Sequence, residues 1–393
     1  KRGSGSSPSG NSHRANQERG CVPASLPPRC GVVSFPPMIS NATLSAMATP
    51  TEPTAPTEPT APTPALTADA ILERAHVVAL PMAVRFRGIT TREALLIDGP
   101  AGWGEFSPFI EYQPEEAAHW LRAGIEAAFV GLPDASGTVE INGTIPAVPA
   151  GEVEAVLARF EGVNTFKIKV AEPGQTLADD VARVNRVREL RPDATLRVDA
   201  NGAWSVNQAI TAERALTATG TLEYLEQPCA SVAELAALRP QVATALAADE
   251  SIRRAADPYA VARAGAAQVG VVKQAPLGGV RTVLKLAREL HAHHGMELTV
   301  ASALDTAVGI DAGLVAAKLT GSRAAGLGTQ RLFVEDVAAQ RTLVGGRYPV
   351  ARTTPDPERL HGLRASAQRR EWWFERVRAC FPLIGGETLP DRA

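Results

Sequence analysis

Hydrophobic and polar positions follow different periods along the chain. From about residue 75, "AHVVALPMAVRFRGITTREALLIDG" alternates like two strands with a turn near Arg87-Gly88, and "QPEEAAHWLRAGIEAAFVGLP" then has the helical period and a proline stop. From about residue 137, short apolar runs alternate with Ala-, Arg- and Leu-rich runs of helical length. Beyond about residue 330, "PERLHGLRASAQRREWWFERVRACF" predicts a helix that returns to pack on the first strands.

The alternating stretch predicts the fold class. Eight strand-like runs with seven helical segments between them favour an α/β fold with a closed parallel barrel over an open doubly wound sheet. No Gly-rich dinucleotide fingerprint follows the first run, which also disfavours the open sheet. The eight runs are "TVEINGTIP", "TFKIKVA", "TLRVDANG", "LEYLEQP", "ALAADES", "QVGVVKQA", "ELTVASA" and "AAGLGT".

Composition separates the N-terminal segment from the rest and limits the partners. Residues 1–72 are rich in Pro, Thr and Ser, with the repeat "TEPTAPTEPTAPTPA", and are expected to be a disordered tail. The remainder is apolar enough for a large core. The net charge of −2 provides no electrostatic attraction to nucleic acid or anionic membranes. Four scattered cysteines and no membrane-length apolar run favour a soluble, cytoplasmic protein, and the oligomeric state is left open.

Five consecutive predicted strands end in charged residues, although buried parallel strands are normally almost wholly apolar. The two lysines of "TFKIKVA" are two positions apart, so they share one face of their strand. In a βα barrel the C-terminal strand ends form one rim, where active sites lie. The charged residues at these ends are Lys167, Lys169, Asp199, Glu226, Asp249 and Lys273.

These residue types suggest a metal-assisted proton abstraction. Three neighbouring carboxylates repel each other, so a hard divalent cation such as Mg²⁺ is their expected partner. A carboxylate substrate held there would lose its α-proton to a lysine. Lys167 would favour the neutral form of Lys169 by charge repulsion, and Lys273 would be a second base or a cation facing the intermediate. A single strand-end Asp is more often a helix N-cap, but three in register with flanking lysines favour a site.

The motifs Lys-x-Lys, Asp-Ala-Asn, Glu-Gln-Pro, Ala-Asp-Glu-Ser and the sixth-strand lysine together resemble the enolase superfamily, muconate-cycloisomerase type. Within it, "FRGIT", "GPAGWGEFSPF", "FKIKVAEPG", "RVDANGAW", "LEQPC", "AADESIRRA" and "PLGGV" are most similar to the actinobacterial o-succinylbenzoate synthase family. The resemblance covers roughly residues 74–350. One departure is Gly143 in "INGTIP", where relatives more often carry alanine after the asparagine.

The resemblance implies a modified TIM-type (β/α)7β barrel with an α+β capping domain formed from both flanking segments. Residues 73–135 would be the N-terminal part of the capping domain and residues 136–330 the catalytic barrel. Residues 331–393 would be a C-terminal segment that packs on the capping domain.

The resemblance also implies an activity, that of a lyase. It would dehydrate 2-succinyl-6-hydroxy-2,4-cyclohexadiene-1-carboxylate to 2-succinylbenzoate, a step toward menaquinone, with Mg²⁺ as cofactor and Mn²⁺ as a substitute. The partner would be this small-molecule carboxylate substrate.

Residue roles follow from the same resemblance. It implies Asp199, Glu226 and Asp249 as metal ligands. Lys169 would take the α-proton and return it to the leaving hydroxyl, with Lys273 as the cation on the opposite face and Lys167 as the neighbour of the base. Further implied residues are Asn201 and Glu250, which would orient ligands, and Arg87, Ser302 and Gly328, which would contact substrate.

Two other functions are considered. N-succinylamino-acid racemase, or another epimerase of the superfamily, would use Lys169 and Lys273 on opposite faces. Such racemases tend to carry an arginine three positions after the sixth-strand lysine, where this chain has Pro276, and dipeptide epimerases carry an Asp-x-Asp that "GLGTQ" lacks. A non-catalytic barrel is disfavoured because a scaffold does not need this repulsive rim.

Overall fold

The structure is a computed structural model that describes residues 66–86, 88–254 and 257–384. Most of the predicted tail, residues 1–65, lies outside the described residues, as does Arg87. Helix α1 (Ala68–Leu72) begins after Thr67, whose hydroxyl accepts a hydrogen bond from the Ala70 amide. Its Ile71 and Leu72 side chains are buried. This helix lies within the segment predicted as a tail, and the domain limits stay predictions.

An antiparallel sheet precedes the barrel. It has the strand order β1 (Ala75–Phe86), β2 (Ile89–Gly99), β3 (Gly102–Phe106). Helix α2 (Pro114–Ile125) follows, with proline in its first turn and Glu115 and Glu116 beside its N-terminus, where their charge suits the helix dipole. It continues as a π-helical turn over Glu126–Val130. The predicted strand pair and helix are confirmed.

Seven parallel strands form the main sheet, and each pairs with the next one along the chain. A short strand, β4 (Thr138–Glu140), leads into them. The seven are β5 (Asn142–Ile145), β6 (Thr165–Lys169), β7 (Thr195–Asp199), β8 (Tyr224–Glu226), β9 (Ala245–Ala248), β10 (Val269–Val272) and β11 (Glu297–Val300).

Helices follow these strands in turn. They are α3 (Val153–Leu157), α4 (Leu177–Leu190), α5 (Val206–Thr217), α6 (Val232–Leu238), α7 (Glu250–Arg253), α8 (Ala260–Arg263), α9 (Val280–His294) and α10 (Ala307–Thr320). Reciprocal capping boxes start α4, α5 and α6 at Thr176, Ser205 and Ser231. Glycines in the left-handed conformation, Gly295 and Gly321, end α9 and α10.

The barrel closes through a backbone bridge at the eighth position, where "AAGLGT" was expected to be a strand. The Asn142 amide donates to the Ala325 carbonyl at 2.8 Å, and the Gly326 amide donates to the Val300 carbonyl at 2.8 Å. The segment thus hydrogen-bonds to both edges of the seven-stranded sheet. This segment is too short to be a strand, because a 3₁₀ helix over Gly328–Leu332 follows it directly.

The C-terminal segment contacts both parts of the molecule. Strand β12 (Arg347–Pro349) pairs antiparallel with β4, and α11 (Pro357–Gly362) and α12 (Ala367–Cys380) follow it. Trp373 and Val377 of α12 share a buried cluster with Leu95 and Trp120 from the N-terminal segment. The capping domain is therefore formed from both flanking segments, as predicted. None of the described helices combines the length and apolar character of a membrane span.

Candidate active site

Strand register places the predicted charged residues on one rim. Lys169, Asp199 and Glu226 lie opposite each other on β6, β7 and β8, at the C-terminal ends of these strands. Asp249 and Lys273 directly follow the last residues of β9 and β10. Residues in register on adjacent parallel strands point to the same side, so these side chains face the same side of the sheet.

Lys167 lies between two carboxylates. Its Nζ is 3.0 Å from Asp199 Oδ2 and 2.7 Å from Glu226 Oε1. Burial opposes the charge of this lysine, but the two carboxylates outweigh burial and raise the pKa of Lys167 well above its ordinary value. Lys167 is therefore held as an ammonium ion that offsets the charge of Asp199 and Glu226, in addition to lying beside Lys169.

Lys169 shares its partner with Lys167. Its Nζ is 2.6 Å from Asp199 Oδ2 and 2.7 Å from Asn201 Oδ1. Burial opposes ionisation of Asp199, but the charges of the two lysines outweigh it and hold the pKa of this carboxyl well below its usual range. Asn201 has φ 48°, and this left-handed turn brings its amide to Asp199 Oδ1 at 3.1 Å. Both lysines therefore lie on one face of β6, as the sequence predicts.

Asp249 is held from two sides. Lys273 Nζ contacts its Oδ2 at 2.5 Å, and Arg253 Nε donates to its Oδ1 at 2.9 Å. Burial acts to raise the pKa of Asp249, but the charges of Arg253 and Lys273 lower it to about 2. Burial is also the main cause that lowers the pKa of Lys273. Asp249 precedes α7, yet its side chain caps no amide of that helix, so it is not an ordinary helix N-cap.

The carboxylates suit a hard divalent cation. Asp199, Glu226 and Asp249 are 1%, 1% and 2% exposed, and no described hydrogen-bond partner contacts the buried Oε2 of Glu226. Burial, together with the charge of Asp199, raises the pKa of Glu226 to about 7. Among the described residues no three acidic, His or Cys side chains already converge on one point, since lysines and an arginine hold these carboxylates. Three buried oxygen donors with one oxygen atom unsatisfied fit such a cation.

The lysines face one cavity. Lys167, Lys169 and Lys273 line it, together with the predicted Ser302. Gly328 is not among its lining residues, and a Cβ there would instead meet the Asn142 carbonyl and the Ile141 and Phe160 side chains. The cavity is lined by Phe109, Thr144, Lys167, Lys169, Asp199, Asn201, Asp249, Arg253, Lys273, Ala301, Ser302, Ala303, Leu304, Gly326 and Thr329.

Phe109 and Arg253 are among the lining residues that sequence patterns did not identify. Phe109 comes from the capping segment, within a phrase quoted for its resemblance but with no polar group to mark it. Arg253 comes four residues after Asp249 on α7, a helical spacing that could have indicated the contact. The two predicted orienting residues do meet, since Asn201 Nδ2 lies 3.3 Å from Glu250 Oε1.

Comparison with known proteins gives the same class. The family description "Enolase C-terminal domain-like" matches residues 151–351, and "Enolase N-terminal domain-like" matches residues 77–128. The chain is similar to o-succinylbenzoate synthase of Mycobacterium marinum, 57% identical over 81% of this chain and 96% of the relative. It is likewise similar to that of Mycobacterium leprae, 58% identical over 81% of this chain and 94% of the relative.

A solved structure shares the fold. Muconate lactonizing enzyme from Pseudomonas fluorescens, complexed with muconolactone, is 22% identical and covers 74% of this chain and 98% of its own, with a TM-score of 0.62. A capped βα barrel with acids and lysines at its rim is thus the class that the fold and site define. The chain belongs to the enolase superfamily.

Proposed function

We propose that this protein is a lyase that dehydrates the succinyl-hydroxycyclohexadiene carboxylate to 2-succinylbenzoate. The observation that carries the proposal is that Lys169 and Lys273 face one cavity beside three buried carboxylates. The name of the mycobacterial relatives, at 57% identity over 96% of their length, supports this substrate. The reaction is a step toward menaquinone, and we place it in the cytoplasm.

Asp199, Glu226 and Asp249 would hold the metal, for which we propose Mg²⁺. When bound, it would supply positive charge to the substrate carboxylate and stabilise charge that develops during proton removal. The unpartnered Oε2 of Glu226 supports this assignment. Asn201 and Glu250, which contact each other, would keep the surrounding groups oriented.

The lysines would handle the proton and the charge. Lys169, in its neutral form, would take the proton α to the carboxylate onto Nζ. The C–O bond to the hydroxyl then breaks as the ring becomes aromatic, and Lys169 returns the same proton so that water leaves. Lys273, held by Asp249, would remain an ammonium ion and face the anionic intermediate. Lys167 would keep the charge of Asp199 and Glu226 balanced.

N-succinylamino-acid racemisation is the second candidate. The observation in its favour is that both lysines line the same cavity, since a racemase transfers protons with both. Pro276, at the position where such racemases tend to carry arginine, disfavours it.

The two functions are separated by one pair of assays. Purified protein with MgCl₂ would receive the cyclohexadiene carboxylate, with aromatic product followed by absorbance, and N-succinyl amino acids in deuterated water in parallel. We expect rapid aromatisation that a chelator abolishes, and little deuterium incorporation. Fast exchange into both enantiomers with slow aromatisation would establish the racemase instead, and inactivity on both would refute both substrates.

A further inference from the structure

Arg253 connects the surroundings of Lys273 to those of Lys169. Its Nε donates to Asp249, which holds Lys273. Its Nη2 contacts Glu250 Oε1 at 2.6 Å. The same Glu250 oxygen accepts a hydrogen bond from Asn201, whose side-chain oxygen accepts one from Lys169. A continuous chain of hydrogen bonds therefore runs from one lysine to the other through a single guanidinium group.

The third nitrogen of this guanidinium reaches the capping domain. Arg253 Nη1 donates to the hydroxyl of Tyr112 at 3.2 Å, and these residues are 141 positions apart in the chain. Tyr112 belongs to the buried cluster of the capping domain and packs edge-to-face against Phe109, which lines the cavity. The position of Arg253 is thus fixed by both parts of the protein.

These contacts define the role that Arg253 can have. The side chain is 4% exposed, and each of its three nitrogens already donates to a protein oxygen. Arginine presents these donors in a planar fork, which a lysine ammonium cannot reproduce at three separate acceptors. Such a group is suited to orienting other side chains rather than to binding substrate.

We propose that Arg253 is a positioning residue that sets the placement of Lys169 and Lys273 relative to each other and to the capping domain. The inference rests on the proposed function, because it assigns both lysines to one reaction. We therefore expect activity to depend on the planar arrangement of the three guanidinium donors, in addition to the positive charge of Arg253.

The test replaces the planar guanidinium group of Arg253 but keeps its positive charge. For Arg253→Lys we expect kcat to fall about 10- to 100-fold, with KM within about threefold of wild type. Titration calorimetry with MgCl₂ alone should show a Kd about tenfold higher, because Asp249 loses its orienting partner. A merely structural defect would lower the melting temperature without separating kcat from KM.

Arg254→Lys is the matched control. Arg254 is adjacent in sequence, pairs with Glu116 at 3.0 Å and lies over the same Tyr112 ring, but no described hydrogen bond or ion pair joins its side chain to Asp249 or Glu250. We expect its kcat and Mg²⁺ affinity to equal those of wild type. If Arg253→Lys also kept both values, charge alone would suffice and the proposal would be overturned.

A second variant covers the case in which Arg253→Lys does not fold. Glu250→Ala cuts only the branch that leads to Lys169, so kcat should fall at least about tenfold while the Kd for Mg²⁺ stays within about threefold. An unchanged kcat would refute the positioning chain. Wild-type protein inactive on the cyclohexadiene carboxylate would overturn the proposed function, and the MgCl₂ titrations of wild type and Arg253→Lys would still decide the role of Arg253.

Discussion

At the scale of single residues, each buried carboxylate at the rim contacts at least one basic side chain. Lys167 offsets Asp199 and Glu226, while Lys273 and Arg253 offset Asp249. Unpaired buried charges are costly, so a buried residue whose carboxylate oxygen lacks a described hydrogen-bond partner is a candidate metal ligand. Glu226 is such a residue, because burial raises the pKa of its carboxyl to about 7 and its Oε2 has no described hydrogen-bond partner.

Glu226→Gln tests whether this carboxylate binds the metal. Adding MgCl₂ at about one hundred times its Kd should raise the free energy of unfolding of the wild type by about 2.7 kcal/mol, because the cation binds only the folded state. The variant keeps the size of the side chain but loses its charge, so the same MgCl₂ concentration should raise its stability far less. Urea unfolding with and without MgCl₂ measures both. Equal stabilisation of the two proteins would exclude Glu226 as a ligand.

At the scale of elements, a buried arginine connects strand β7 to the segment that closes the barrel. Arg197 of β7 contacts Glu223 at 2.6 Å and Asn142 Oδ1 at 3.0 Å, and it donates to the Ala324 carbonyl at 2.6 Å. Ala324 precedes the bridge that closes the barrel. One side chain therefore links a strand of the sheet to the closing segment.

Arg197→Met should destabilise the protein by about 1–3 kcal/mol for each of the two buried acceptors that lose this donor, Asn142 Oδ1 and the Ala324 carbonyl, while Glu223 keeps its pairing with Arg323. Arg347→Met is the control, since Arg347 of β12 forms a half-exposed pair with Glu140 of β4 at 3.3 Å. Exposed pairs contribute about 0–1 kcal/mol. Chemical denaturation measures the two losses, and similar losses would mean that the buried network does not close the barrel.

The helix α12 is attached to the capping sheet by Glu93. This β2 residue accepts hydrogen bonds from Arg369 at 2.6 Å and from Trp373 Nε1 at 3.0 Å. Burial opposes ionisation of Glu93, but these hydrogen bonds and the Arg369 charge outweigh it and lower the pKa of the carboxyl. A lowered carboxyl pKa means that the unfolded state binds the proton more tightly, so this stabilisation is present above the unfolded pKa and is lost as pH falls through the folded value.

Glu93→Gln should therefore cost about 1.5–3 kcal/mol at pH 7, the range for hydrogen bonds to a charged group. The difference from wild type should begin to shrink below about pH 4.3, where the carboxylate becomes protonated in the unfolded state, and should disappear as pH falls through the lower pKa of the folded state. Denaturation at a series of pH values measures this difference. A difference that stays constant over the acidic range would show that the charge of Glu93 does not attach α12.

At the scale of the whole molecule, the sequence predicts features that depend on local patterns better than it predicts contacts between distant segments. The strands, the rim and the six charged residues follow from apolar runs that end in charge, because a parallel barrel brings all C-terminal ends to one side. The Arg253–Tyr112 contact could not be predicted, since it depends on how the capping domain docks. The reason for a glycine at position 143 could not be predicted either, because it depends on side-chain packing. A Cβ there would lie 2.7 Å from the Phe166 ring and 3.0 Å from Phe160.

The central claim is that Lys169 is the base of a dehydration carried out at this rim. The most direct test is the rate of aromatic product formation by Lys169→Ala beside wild type, at saturating substrate and MgCl₂. We expect a fall of at least about 10²-fold, the usual contribution of a general base, with Mg²⁺ affinity retained. A variant that still forms the product within a few-fold of the wild-type rate would show that Lys169 is not the base.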